Sequence, residues 1–288
     1  MGIHTYIEWA DSSCNGQMGC DGCELWSKKV RNCYAGNMTA RHAGRNGWPA
    51  SFDQPTMFPH RLEQAVKWPD LAGKDRQDKP WLSGLPRHIF LDDMGDTFTE
   101  SLPVDWLMPH IKLMEQSPHV WMFLTKRPKR MLAFFEALGY VPKNFFLGTT
   151  VTTQRTADVR LKYLTAIADI DSSVRLWISA EPLLEPVALG PWLWNEDSQL
   201  IDLVIIGGES GQNARPMEQR WARGIIAECQ ESFVPAFVKQ MGGQKDKGGD
   251  MSKWPVDLRI REFPRNAPIA QPSVQQTLFE MTDRRVYA

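Results

Sequence analysis

The sequence predicts an α/β protein, a TIM-type or partial (β/α) barrel of about six to seven parallel strands headed by a cysteine loop. Three observations predict it. From His88 onward short apolar runs recur, each ending in polar or Gly residues. The runs are continuous, not alternating, as strands buried on both faces are. Helix-length amphipathic segments lie between them, and repeated strand–helix alternation implies a parallel sheet.

The elements follow in order. Ile3 to Trp9 is a short apolar stretch, expected as the first strand, which delivers the chain to Cys14, Cys20, Cys23 and Cys33. Tyr34 to His42 has modest helical character and ends at Gly44. Asn46 to Leu85 is rich in Pro, Trp, Asp and Lys, with one helical piece at about Pro59 to Lys67, and is expected to be an irregular insertion that frames a site. The later strands are expected in His88–Met94, Val120–Arg127, Phe145–Val151, Leu176–Glu181, Leu203–Ser210 and Pro235–Gln240. Helices are expected over Pro103–Gln116, Pro128–Leu138, Gln154–Ile170 and Glu218–Phe233, each with apolar residues at helical spacing. Leu184 to Leu200 is less regular. The organisation is therefore one barrel domain over 1–247, with its cysteine loop at 14–35 and the insertion at about 46–85, and a poorly ordered or extended tail over 248–288.

Composition narrows the class. The 288 residues supply ample chain for a core, and 42% hydrophobic with 23% charged residues is ordinary for a globular protein. A net charge of −1 argues neither for nor against nucleic acid. No long apolar run and no charged-then-apolar leader is present, so neither a membrane span nor export is expected. The expected location is cytoplasmic, which suits free thiols.

Four of the five cysteines fall in one window, with gaps of five, two and nine residues, and Gly, Asp and Asn among the spacers. A disulfide pair is disfavoured by the odd count and the lack of a secretory signal. Structural zinc would use all four sulfurs in a closed tetrahedron. A four-cysteine electron-transfer cluster is a third reading. The fourth places three cysteines on a [4Fe-4S] cluster and leaves one iron open. The cysteines alone do not decide.

In barrels the active site lies at the C-terminal strand ends. Those ends carry Asp92, Asp93, Gly95 and Asp96; Thr125, Lys126 and Arg127; Gly148, Thr149 and Thr150; Ser179 and Glu181; Gly207, Gly208, Glu209 and Ser210; and Lys239 and Gln240. They are expected to converge on one mouth with the cysteine loop. Each has a plainer role available. Asp93 or Asp96 can cap a helix, and Gly207 to Gly211 can be a loop that needs positive φ. No P-loop or Rossmann spacing follows those glycines. Cys229 lies on an apolar helix face and reads as core. The six His show no ligand spacing.

Eight ordered blocks give a resemblance: Ile7-Glu8-Trp9, the cysteines ending in Cys33-Tyr34-Ala35, Phe90 to Asp96, Leu124 to Pro128, Leu147 to Val151, Ser179 to Leu183, Ile206 to Ser210 with Ala214 to Met217, and Phe237 to Gln240. Over about residues 3 to 243 they resemble a phage- and bacterium-encoded family of three-cysteine-motif proteins of unknown function. That family is itself similar to a variant of the radical S-adenosylmethionine superfamily. The resemblance implies a [4Fe-4S] cluster on Cys20, Cys23 and Cys33, with Cys14 as an alternative fourth ligand. It implies S-adenosylmethionine on the open iron, a 5′-deoxyadenosyl radical as product of its reductive cleavage, and a reductant such as flavodoxin or ferredoxin. Candidates to hold that cofactor are Tyr34, Asp93, Lys126, Thr149, Ser179, Glu181, Gly207, Gly208 and Glu209. Here the cysteine gaps are two and nine residues, with Glu24 to Asn32 inserted, where the superfamily has three and two.

The family's setting points to DNA or a nucleotide as substrate, for repair or modification. Lys28, Lys29, Arg31, Lys126, Arg127, Arg215, Arg220 and Lys239 are candidates to meet phosphates, and Tyr34 with several Trp to stack a base. The alternative is a solvated mixed-charge surface. A second functional reading is a non-catalytic nucleic-acid-binding or regulatory protein with structural zinc or a structural iron–sulfur site. A third, a barrel hydrolase using Asp93, Glu181 and Glu209 as acid and base, leaves the cysteines unexplained.

Overall fold

The computed structural model describes residues 2–265, Asp197 excepted. Its strands are β1 (Ser12–Cys14), β2 (Gln17–Met18), β3 (Thr56–Met57), β4 (His88–Leu91), β5 (Val120–Thr125), β6 (Phe145–Thr150), β7 (Arg175–Ala180), β8 (Leu203–Gly207) and β9 (Ala236–Gln240). Its α-helices are α1 (Tyr34–His42), α2 (His60–Ala65), α3 (Ile111–Glu115), α4 (Pro128–Leu138), α5 (Gln154–Thr165), α6 (Gly190–Leu193) and α7 (Gln219–Glu231).

Seven strands form one parallel sheet in the order β1-β4-β5-β6-β7-β8-β9, while β2 and β3 make a small antiparallel ribbon. The sheet curls into a half-barrel flanked by helices. Among the described residues β1 and β9 remain its two edges, so the barrel is partial, not closed. No helix among the described residues is long and apolar enough to cross a membrane.

Strand alternation sends successive side chains to opposite faces. Ile89, Trp121, Phe123, Phe145, Leu147 and Ile178 face the helices and pack on Met131, Phe134, Leu161 and Ile225. Phe90, Met122, Phe146, Trp177, Ile205 and Phe237 face the concave side. Each such fully buried side chain contributes roughly 1.5–3 kcal/mol. Gly148 sits on the concave side because Trp177 needs the room. A Cβ there would lie 2.4 Å from the indole, whose Nε1 donates to the Phe146 carbonyl at 3.2 Å.

The half-barrel is filled from its open side by chain that carries no sheet pattern. Leu82 and Leu85 from the insertion, Trp9 from the N-terminal segment and Phe263 join the concave cluster. The insertion is locked by Arg76, which pairs with Asp11 at 2.7 Å and donates to the carbonyls of Leu82, Leu85 and Pro86, with both ionic partners buried.

Several expectations change. Ile3 to Trp9 is not the first strand. Lys79 Nζ donates to the carbonyls of Thr5, Ile7 and Ala10 at 2.7, 2.9 and 2.6 Å, bending the segment. The first strand is Ser12–Cys14, in register with Ile89 to Leu91. The expected helix over 103–116 is reduced to a 3₁₀ turn at Met108–His110 and α3, because Pro109, in its interior, breaks it. The helix expected from Gln154 ends at Thr165 and continues as a 3₁₀ turn over Ala166–Asp169. The tail expected from 248 is structured as far as 265: Trp254, Leu258 and Phe263 are buried, and Arg261 bridges antiparallel to Phe237. The rest of that tail, 266–288, lies outside the described residues.

Candidate functional site

The C-terminal strand ends enclose a cavity of about 440 Å³, within the size range of small-molecule sites. Trp9 and Phe90 lie at its floor, their ring centroids 4.6 Å apart, with Trp177 beneath at 5.0 Å from Trp9. Trp9 is 3% exposed, and its Nε1 is buried without an acceptor. Tyr6, almost fully exposed, and Tyr34, half-exposed, stand at the rim. The Tyr34 hydroxyl donates to the Asp93 carbonyl.

The cysteine loop covers one side of this mouth and is pinned at several points. Gly19 N–H donates to the Met94 carbonyl at 3.0 Å and Cys20 N–H to that of Phe52 at 2.9 Å. Asp21 accepts from Thr99 Oγ1 at 2.6 Å and from Ser101 N–H at 2.8 Å. Arg127 joins the loop to the end of β5: its Nη2 donates to the Gly22 carbonyl at 2.8 Å and its Nη1 approaches Cys20 Sγ at 3.4 Å and Asp96 at 3.0 Å. Glu24 holds Arg160 of α5 through bonds of 2.9 and 2.8 Å. Burial alone would raise the Glu24 carboxyl, but the Arg160 hydrogen bonds and charge outweigh it and hold it at about 2. Asn32 then spans to Glu209 and the Asn213 carbonyl, both at 3.3 Å.

The five thiols are free. Cys33 lines the cavity at the N-terminal end of α1. Burial pushes Cys20 up to about 11, with Asp96 adding and Cys23 contributing less; burial also raises Cys33, with Cys23 again contributing. Cys23 Sγ accepts from the Leu25 N–H at 3.4 Å. Backbone N–H groups counter the burial, from Gly22 toward Cys20 and from Gly36 and Ala35 toward Cys33. Cys14 is elsewhere. It ends β1, fully buried among Leu62, Ile89 and Leu91, and its Sγ meets the Arg61 carbonyl at 3.5 Å. Burial raises it far above the thiol range, with Asp92 adding.

Carboxylates and cations around the cavity are mostly matched. Glu181 pairs with Lys239 at 2.5 Å. Glu209 takes Arg215 in bidentate fashion, at 2.8 and 2.7 Å, and also accepts its backbone N–H. Burial opposes ionisation of Glu209, but these bonds hold it below the usual carboxylate range. Glu8 pairs with Lys247 at 2.6 Å through one oxygen, while its other oxygen is buried without a partner. Lys126 reaches only Thr150 Oγ1, at 3.5 Å. Asp92, in the left-handed region at φ 59°, accepts from Gln17 N–H at 2.9 Å and Thr97 Oγ1 at 2.7 Å. Burial still raises it to about 7, and burial raises Asp93 too. Glu209, held as an anion by Arg215, is a poor proton donor, which weakens the hydrolase reading.

Of the residues singled out in the sequence, Tyr34, Asp93, Lys126, Ser179, Glu181, Gly208, Glu209 and Cys33 line the cavity. Thr149 does not. It is fully buried and donates to the Thr125 carbonyl at 2.7 Å, and Thr150 faces the cavity in its place. Parity carries that signal: Phe146, Gly148 and Thr150 share the concave face. Gly207 lies behind Glu181, 3.2 Å from where its Cβ would be. Gly208 must be glycine, since a Cβ would stand 2.2 Å from the Met241 carbonyl oxygen. Sequence reasoning missed Lys247 and Asn32, which lie in loops without pattern, and misread Tyr6 to Trp9 as strand.

Cofactor fit rests on the donor set. Among the described residues no three His, Cys, Asp or Glu side chains stand together at metal-holding distance. A single zinc would need its sulfurs about 3.8 Å apart, and Cys14 is committed to the core. Sulfurs that bind separate irons of one cube stand wider apart. Cys20, Cys23 and Cys33 are carried on one loop pinned to the mouth of the half-barrel, and three thiols are the number such a cluster takes when one iron is left open.

The chain belongs to a family described as a protein of unknown function, DUF5131, whose model matches residues 4–280. No curated protein and no solved structure matches it.

Proposed function

For this member of the family we propose a radical S-adenosylmethionine-like iron–sulfur enzyme, in which Cys20, Cys23 and Cys33 hold a [4Fe-4S] cluster beside the cavity. One observation carries the reading. The loop bearing these three thiols is fastened to the mouth of the half-barrel, and one of them, Cys33, lines the cavity that the strand ends form. Held by those three cysteines, such a cluster would supply reductive cleavage of S-adenosylmethionine to a 5′-deoxyadenosyl radical. The chain's own residues do the rest. Arg127 and Glu24 fix the loop, and Trp9 and Phe90 form a dry floor that keeps water from a reactive species. Glu181–Lys239 and Glu209–Arg215 hold polar walls in one arrangement. Lys126 offers a cation to an anionic group. A closed zinc site gains no support, since it needs Cys14 as fourth ligand.

Anaerobic reconstitution with iron and sulfide tests this. The expected outcome is about four irons per chain, lost when any of Cys20, Cys23 or Cys33 becomes Ser, with 5′-deoxyadenosine formed on reduction. A loaded cluster that yields none under any reductant, or zinc without iron in the purified protein, sinks the proposal.

A further inference from the structure

Eight basic residues near the mouth are candidates for phosphate contacts, and most are already committed. Arg127 is on Asp96, Arg215 on Glu209, Lys239 on Glu181 and Arg220 on Glu218, at 2.5–3.0 Å. Arg31 lies over the Trp26 ring at 4.2 Å and 3.7 Å from Asp53. Lys28 and Lys29 are exposed on the loop surface, outside the cavity. Within the lining, six carboxylate residues face three lysines, and two of those lysines are bound to two of the carboxylates. Lys126 alone among the lining cations has no carboxylate partner among the described residues. A polynucleotide track needs a row of uncommitted cations, one for each phosphate neutralised. This mouth lacks such a row, because its other cations are held by its carboxylates. Its volume, about 440 Å³, suits a small molecule. Its apolar lining includes four aromatic rings beside Ile7, Leu25 and Leu124: Tyr6 and Tyr34 at the rim, Trp9 and Phe90 below. Flat side chains of this kind receive planar rings.

We infer that the cavity takes a small, phosphate-free molecule with a planar ring, of nucleoside size, and that polynucleotides and polyphosphates are excluded from it. This rests on the reading of the cavity as the substrate site. Lys126 accommodates at most one anionic group.

The test is binding to the full chain at low salt, with thymidine, a nucleoside that forms no part of S-adenosylmethionine, its monophosphate and its triphosphate followed by calorimetry, and a labelled single-stranded oligonucleotide followed by anisotropy. Thymidine is expected to bind most tightly, the triphosphate at least tenfold more weakly, and the oligonucleotide without saturation. Glu181→Gln, which releases Lys239, is expected to narrow the thymidine-to-triphosphate gap several-fold. Saturable oligonucleotide binding with a steep salt dependence overturns the inference. So does a triphosphate that binds better than thymidine, and so does failure of thymidine to bind. Iron and sulfide analysis of the same sample keeps the two readings apart: the expected ranking on a chain that never takes a cluster upholds this inference and removes the iron–sulfur proposal.

Discussion

Replacing His88 by Phe should remove a defined part of the protein's acid sensitivity. His88 is fully buried at the start of β4, its ring edge-on to Phe263 at 5.1 Å. Nδ1 meets the Pro86 carbonyl at 2.9 Å, and Nε2 has no partner. Burial lowers the imidazole from 6.5 to about 4; Asp11 and the Pro86 carbonyl oppose the shift, while Arg76 and Arg175 reinforce it. The folded chain thus refuses a proton that the unfolded chain accepts below 6.5. Stability from this group is complete above the unfolded value and is lost as pH falls from there toward about 4. Between about pH 7 and about pH 5 the loss amounts to about 2 kcal/mol. Asp92 works in the opposite sense, since burial raises it to about 7 and its proton adds stability as pH falls. Comparing wild type with His88→Phe cancels that contribution. Phe keeps a flat ring, one atom larger, so any packing cost is the same at every pH, and the Pro86 carbonyl keeps its bond from Arg76 Nη2 at 3.1 Å. Urea unfolding, followed by Trp fluorescence across this range, should give two curves of stability against pH that converge by about 2 kcal/mol toward the acid end. Parallel curves would refute the assignment of a buried neutral imidazole.

Three further perturbations test the site and its supports. Cys14→Ala should cost roughly 1–2 kcal/mol in chemical unfolding yet leave iron content unchanged, whereas Cys23→Ser should lose iron with little change in stability. Gly208→Ala should cost about 1–3 kcal/mol by overpacking, because the Met241 backbone 2.2 Å away cannot rotate aside as a side chain does; unchanged thermal unfolding would contradict it. Arg160→Ala should cost roughly 1–3 kcal/mol by stranding Glu24 and should slow or lower iron loading of the loop; metal content equal to wild type would show that the ion pair does not hold the cysteines.

Much of the barrel was legible because its strands are buried on both faces. Runs such as Leu203-Val-Ile-Ile keep one character whichever way each residue points. The first strand was not. Ser12-Ser13-Cys14 carries little apolar signal, and it is a strand because β4 supplies a parallel partner and the Arg87 guanidinium donates to Ser12 Oγ at 2.8 Å. Ile3 to Trp9 reads as strand by composition, but the Lys79 ammonium, seventy residues on in the chain, takes its carbonyls out of any ladder. At the site, the polar strand ends were visible as a group, while the choice between Thr149 and Thr150 needed the parity of β6 that only its pairing fixes. Glu8 and Lys247 meet across 239 positions, a separation no local pattern encodes. Trp254, Leu258 and Phe263 follow no helical or strand period, so their burial was equally hidden.

Phe263 has one more implication. A ring of strands that stops short of joining leaves two margins, and here the segment around Arg261 and Phe263 serves as the stopper on the concave side. A ribosome must therefore pass Phe263 before Trp9 and Trp177 are fully shielded, and a cut just before Trp254 would uncork the vessel from below while its upper machinery stayed in place.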